Sequence, residues 1–134
     1  MTKQELDDLT YEVIGCAIDV HKELGPGLLE SIYEKCFIIE LLSEGYKVNS
    51  QSNVPIIYKE NEIDCELRYD VMVDNILLVE LKAVEKILPI HEAQLLTYMK
   101  LLKKPKGVIL NFNVINLAKF GCKTFVNQLY ADLV

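Results

Sequence analysis

The sequence predicts an α/β fold of order α-α-β-β-β-α-β, with a mixed central sheet flanked by helices. Three features predict it. Two opening segments carry apolar residues at helical spacing, and the middle third alternates between apolar and polar residues. A proline-started helical segment then leads into a short all-apolar run. Three consecutive strands make a meander, and the helix after them returns the chain to a strand lying parallel to one of them.

Each element has its own signal. Thr2-Lys3-Gln4-Glu5 fits a capping box, with Thr2 as N-cap and Glu5 three residues later. Leu6, Leu9, Val13, Ala17, Val20 and Leu24 follow as a helical stripe, which Gly25-Pro26-Gly27 ends. A second helix is expected from near Leu28 to about Glu44, where Gly45 suits the left-handed position after a helix. Strands are expected over Tyr46 to Tyr58, Ile63 to Val73 and Ile76 to Ala83, with turn chemistry from Asn61 and Asp74-Asn75. Pro89 breaks the chain before a helix from about Ile90 to Leu102. Val108-Ile109-Leu110 has the character of a strand covered on both faces. Lys119 to Val126 is compatible with an edge strand followed by a short helical end.

At 134 residues the chain has room for one domain, expected to span 1–134. No apolar run approaches the roughly 20 residues of a membrane helix. The polar start Met1-Thr2-Lys3-Gln4-Glu5 shows no secretory signal. Cys16, Cys36, Cys65 and Cys122 are scattered, which argues against a zinc cluster and for reduced thiols in a cytoplasmic protein. The net charge of −6 excludes a strong non-specific nucleic-acid coat, because counterion release from basic residues dominates that affinity. An acidic chain can still act on nucleic acid where carboxylates hold metal ions and basic residues are local.

The middle strands concentrate the chemistry. In Ile76-Leu77-Leu78-Val79-Glu80-Leu81-Lys82, alternation puts Glu80 and Lys82 on one face and Leu77, Val79 and Leu81 on the other. The preceding strand sends Asp70 and Met72 one way and Tyr69, Val71 and Val73 the other. Joining the apolar faces requires odd residues opposite odd residues, which places Asp70 beside Glu80 and Lys82. A strict Asp74-Asn75 turn would pair Val73 with Ile76 and send the two carboxylates to opposite faces. A three-residue loop or a bulge is therefore expected. Glu30 stands at the end of the stripe Tyr33, Phe37 and Leu41, and His91, Gln94 and Tyr98 share one face of the later helix.

Gly27-Leu28-Leu29-Glu30-Ser31-Ile32-Tyr33 resembles the G-x-x-E-x-x-Y signature of the bacterial GxxExxY protein family, a branch of the PD-(D/E)xK nuclease superfamily. Asp70 with Glu80-Leu81-Lys82 resembles the D…E-x-K core of that superfamily, with Tyr69 where the name has Pro. Gln94-Leu95-Leu96-Thr97-Tyr98 is similar to the Q-x-x-x-Y motif of its exonuclease-like branch. The resemblance spans about residues 9 to 126 and implies a nuclease-like core. It implies that Asp70 and Glu80 ligate Mg²⁺ or Mn²⁺, with Glu30 completing the site directly or through water. Lys82 would stabilise transition-state charge or position the water, and Gln94 and Tyr98 would orient the substrate backbone or the lysine.

The lysines at 100, 103, 104 and 106 form the one dense basic cluster, a candidate for flanking phosphates. Every assignment has a plainer competitor. Glu30 suits a helix N-terminus, the lysines suit a helix C-terminus, and Glu80 with Lys82 suits an ion pair on a solvated strand. His91 reads better as a structural hydrogen-bonder than as a ligand. Two functions follow: a metal-dependent nuclease with weak non-specific affinity for DNA or RNA, and a catalytically silent nuclease-fold module for binding or assembly. A two-fold homodimer is expected from small size and from the frequency of such dimers.

Overall fold

The computed structural model describes residues 1–134 throughout. Helix α1 (Lys3–Leu24) opens with the expected capping box: Glu5 N donates to Thr2 Oγ1 and Thr2 N to Glu5 Oε1, each at 3.1 Å. Leu6, Leu9, Val13, Ala17 and Val20 are buried, whereas Leu24 reaches solvent in the last turn. Helix α2 (Glu30–Ser43) starts two residues later than expected and buries Tyr33, Phe37 and Leu41.

The next two strands are shorter than the sequence suggested. Strand β1 (Val48–Asn53) stops before Val54-Pro55, since a proline nitrogen cannot donate to a ladder. The chain then leaves the sheet in a small side hairpin, β2 (Ile56–Tyr58) and β3 (Asn61–Ile63). Lys59 and Glu60 make its turn, both with positive φ, and Asn61 Nδ2 donates to the Tyr58 and Lys59 carbonyls. The chain rejoins the sheet through Val54 N, which donates to the Leu67 carbonyl at 2.8 Å, and continues as β4 (Arg68–Val73). Strand β5 (Leu77–Lys82), helix α3 (Pro89–Leu102), β6 (Lys106–Asn111), a π-helical turn (Leu117–Gly121), β7 (Cys122–Val126) and α4 (Gln128–Ala131) complete the chain. No helix is long and apolar enough to cross a membrane.

The sheet order is β1-β4-β5-β6-β7, antiparallel except for the β5–β6 pair, which α3 connects as a crossover. Val73 pairs with Leu77, so the connection is the three-residue loop Asp74–Ile76 and odd residues oppose odd residues. Asp74 and Asn75 take positive φ, and Ile76 N donates back to the Val73 carbonyl at 3.1 Å. Val71, Val73, Leu77, Val79, Leu81, Val108 and Leu110 pack under α1 and α2. The other face is also apolar at its centre: Met72, Leu78 and Ile109 meet Leu95, Tyr98 and Met99 of α3. Val108–Leu110 is thus covered on both faces, as its composition requires.

Two polar residues lock this frame at its margins. Lys106 is buried and pairs with Asp7 at 2.8 Å, and Asp7 also accepts from the Tyr130 hydroxyl. Gly121 lets the π-helical turn lie against β6, where an added Cβ would stand 2.5 Å from the Asn111 carbonyl. A backbone carbonyl cannot swing aside. Gly121→Ala should therefore cost roughly 1–3 kcal/mol through overpacking. Gly15→Ala, inside α1 with open space around it, should instead add about 0.5–1 kcal/mol. Chemical denaturation of both variants checks the contrast.

Candidate active site

The paired register of β4 and β5 ends at Val71 opposite Val79, and the next opposed residues are Asp70 and Glu80. Side chains take over where the ladder stops. Asp70 N donates to Glu80 Oε1 at 3.3 Å, and Leu81 N donates to Asp70 Oδ2 at 2.9 Å. Each carboxylate is held by a backbone amide of the other strand. Lys82 lies two residues beyond Glu80 on the same strand face, half-buried and free of any hydrogen bond or ion pair. Asp70, Glu80 and Lys82 therefore come together as the sequence suggested.

Glu30 is delivered by a separate device. Gly27 has φ 96°, a value that favours glycine, and the chain turns there from α1 into α2. The Tyr33 hydroxyl donates to the Gly25 carbonyl at 2.5 Å and accepts from Leu28 N at 3.1 Å. Its ring stacks on Phe112 with centroids 4.5 Å apart. Gly27 and Tyr33 thus fix the loop that leads into Glu30, the first residue of α2. This is a physical reason for the spacing Gly27…Glu30…Tyr33. The Glu30 side chain is exposed at its tip and makes no hydrogen bond. Partial desolvation, followed by repulsion from Asp70, raises its carboxyl above the usual range, and Lys82 opposes the shift.

From the other side of the sheet, α3 contributes Tyr98, buried with 6 % exposure, and Gln94, whose Nε2 donates to the Tyr98 hydroxyl at 3.3 Å. Burial, then the charges of Glu80 and Asp70, push the Tyr98 hydroxyl above its ordinary value, so it keeps its proton. His91 stays outside this set, its Nδ1 accepting from Leu88 N at 3.0 Å at the start of the helix.

The lysine cluster does not join the site. Lys106 sits opposite Leu77, at the end of β5 remote from Lys82, and is buried against Asp7. Lys104 Nζ is tied to the Asn75 carbonyl at 2.7 Å in the β4–β5 connection. Residues 100 and 103 close α3 at that same end. Proximity in sequence brought these lysines together, and the direction of β6 carries them away from the carboxylates.

Three further residues of the site region, Gln51, Glu34 and Asn111, are not among those the sequence singled out. Gln51 faces Asp70 from β1 with φ 47°, and its Nε2 donates to Glu34 Oε1 at 2.8 Å and to Asp70 Oδ1 at 3.3 Å. Glu34 lies one helical turn beyond Glu30, a spacing that could have marked it. Its carboxyl is raised by burial and by Asp70, while the Gln51 hydrogen bond acts the other way. Asn111 is buried and clamps the chain just past Lys82: its Oδ1 accepts from Val84 N at 3.1 Å and its Nδ2 donates to the Val84 carbonyl at 2.9 Å.

No three His, Cys, Asp or Glu side chains stand together at metal-ligand spacing. Asp70 and Glu80 stand as an opposed pair, and Glu30 is near enough to Asp70 and Lys82 to feel their charges. Burial, followed by the charge of Asp70, pushes Glu80 up to about 8. Its Oε1 is engaged by the Asp70 amide, and Glu80 as a whole is buried with 6 % exposure. Two adjacent hard oxygen donors that cannot both ionise comfortably fit a divalent cation.

Since the folded Glu80 holds its proton more tightly than the unfolded chain, its protonation supports the fold fully below about pH 4.5, and this support is lost as pH rises towards 8. In chelator, Glu80→Gln should match wild type near pH 4 and become progressively more stable than it between pH 5 and 8. Thermal melts across that range read the crossover. Gln51→Ala should raise the Glu34 carboxyl further, because the donor that favours its charged form is removed. A carboxyl NMR titration showing Glu34 unmoved would remove Gln51 from the site.

A family model described as the PD-(D/E)XK nuclease superfamily matches residues 7–125. Comparison with curated proteins and with solved structures gave no match. The matched segment takes in every element from α1 to β7, including both site strands and both helices that face them. Members of that superfamily generally use divalent metal ions. The chain belongs to the PD-(D/E)XK nuclease superfamily.

Proposed function

We propose that this chain is a metal-dependent nuclease, a single domain over 1–134 of the GxxExxY branch, that hydrolyses phosphodiester bonds in DNA or RNA. One observation carries the reading. Asp70 and Glu80 oppose each other beyond the end of a ladder, each engaged by an amide of the other strand, with an unpaired Lys82 beside them. Asp70 and Glu80 would hold Mg²⁺ or Mn²⁺, with Glu30 reached through water. A bound divalent ion supplies a Lewis acid for a phosphoryl oxygen and lowers the pKa of a bound water.

The remaining work falls to the chain. With the cation bound, Glu80 would be held as the carboxylate despite its burial. Lys82, spent on no internal pair, meets the charge that develops on the phosphoryl oxygens. Tyr98 donates from its retained proton, and Gln94 fixes the direction of that hydroxyl. The grip on nucleic acid is weak and non-specific, given the net charge of −6 and the diversion of Lys104 and Lys106 to internal ties. A two-fold dimer would extend that grip; monomers alone by light scattering at micromolar concentration would remove it. The four free cysteines suit a reducing, cytoplasmic setting.

A second reading, a silent nuclease-fold module for binding or assembly, is favoured by the lack of a third carboxylate at ligand spacing. Thermal melts separate the two. Mn²⁺ should stabilise wild type by an amount that grows with its concentration, about 2.7 kcal/mol at a hundredfold excess over Kd. Asp70→Asn and Glu80→Gln should abolish that gain together with cleavage of DNA or RNA. Lys82→Ala should lose cleavage and keep the gain. An equal melting response in wild type and Glu80→Gln selects the second reading.

A further inference from the structure

The chain exposes a second built surface, away from the carboxylates. Helices α1 and α2 run antiparallel, joined by the short Gly25–Leu29 loop, and their outward seam is a continuous groove. Two adjoining cavities of about 560 and 610 Å³ meet at Asp19 and follow the seam from Leu24 down to Glu12. Over that stretch α1 advances roughly 18 Å, the length of about three helical turns.

The rim of the groove is acidic along its length, and its floor is apolar over the half nearer Leu24. Val20, Leu24, Cys36 and Ile39 line one half, and Ile39 is 65 % exposed. Asp19, Glu23 and Glu40 rim that half, opposed by Lys22 alone, while Glu12 and Glu44 rim the other half with no cation lining it. The clustering is felt at one point. Burial comes first in raising the Cys16 thiol to about 11, and Glu44, Glu40, Asp19 and Glu12 then add to it.

We propose that this seam docks an amphipathic helix from a basic partner protein, its apolar stripe on Ile39 and Leu24 and its lysines or arginines against the glutamate rim. Charge complementarity selects this occupant. A second copy packed on the same seam about a two-fold axis would bring acid against acid, and nucleic acid would meet the same repulsion. An apolar stripe between two charged rims is the geometry in which a groove accepts a helix rather than an ion. The docked cations would also offset the negative charge that opposes nucleic acid. This surface shares no residue with the metal pair, so its test is independent of cleavage.

Three peptides of equal length test it against the full chain by fluorescence anisotropy: one with a leucine stripe and a lysine–arginine face, one with the same stripe and a glutamate face, and a scramble of the first. The basic amphipathic peptide should bind, and the other two should bind at least about tenfold more weakly. Ile39→Ser should weaken it by about tenfold, as should the pair Glu40→Lys and Glu44→Lys; melting temperatures confirm that these exposed changes leave the fold intact. Equal binding of the scramble or the glutamate peptide, failure of the basic peptide to bind, or unchanged affinity in both variants overturns the proposal. Concentration-dependent self-association that Ile39→Ser abolishes would assign the seam to a second copy and overturn it as well.

Discussion

A strand has two faces, so a connection between neighbours is in effect a choice between two parities. The three residues Asp74–Ile76 make that choice here, and the site follows from it. With Val73 opposite Leu77, five apolar side chains of β4 and β5 reach the α1–α2 core while Asp70 and Glu80 fall together on the opposite face. The other parity would bury a carboxylate under α1 and α2 and strand a leucine among the polar groups. Packing and chemistry impose the same register, and packing supplies the larger energy, since each buried aliphatic side chain contributes about 1.5–3 kcal/mol.

Beyond the last paired residue the two strands are held by side chains instead of by a ladder. The Leu81 amide holds Asp70 and the Asp70 amide holds Glu80, and these bonds fix one oxygen of each carboxyl group before anything binds. The helices complete the enclosure by different means. Helix α2 brings its N-terminus near through the Tyr33 hydroxyl and its stacking on Phe112, and α3 brings Tyr98 through the second apolar core. Asn111 then stops the chain after Lys82 from drifting. The site is thus supported from a loop, a core and a clamp, each with its own physical cause.

Alternation and helical spacing made much of this legible. The order of the main elements, the parity of the hairpin, the capping box and the buried faces of α1 and α2 follow from periods of 2 and 3.6. Their failures are as informative. The side hairpin at 56–63 escaped because Pro55 lies inside what otherwise reads as one long strand. Gln51 escaped because its role depends on a left-handed backbone angle at a non-glycine residue, which no local pattern signals. Asn111 escaped because its partners are 27 residues away in sequence. The lysine cluster misled for the converse reason: adjacency along the chain says nothing about which end of a strand a residue occupies.

That last point bears on how a charged molecule would approach. Lys47, Lys100 and Lys103 are exposed at the β4–β5 turn end of the sheet, while Arg68 and Lys82 stand with the carboxylates at the splayed end. The chain as a whole carries −6, so a diffusing polyanion meets net repulsion before it reaches either end. Added salt shortens the reach of that field to about 8 Å at physiological strength, so association with the splayed end would quicken with salt where that of a basic polyanion-binding surface slows.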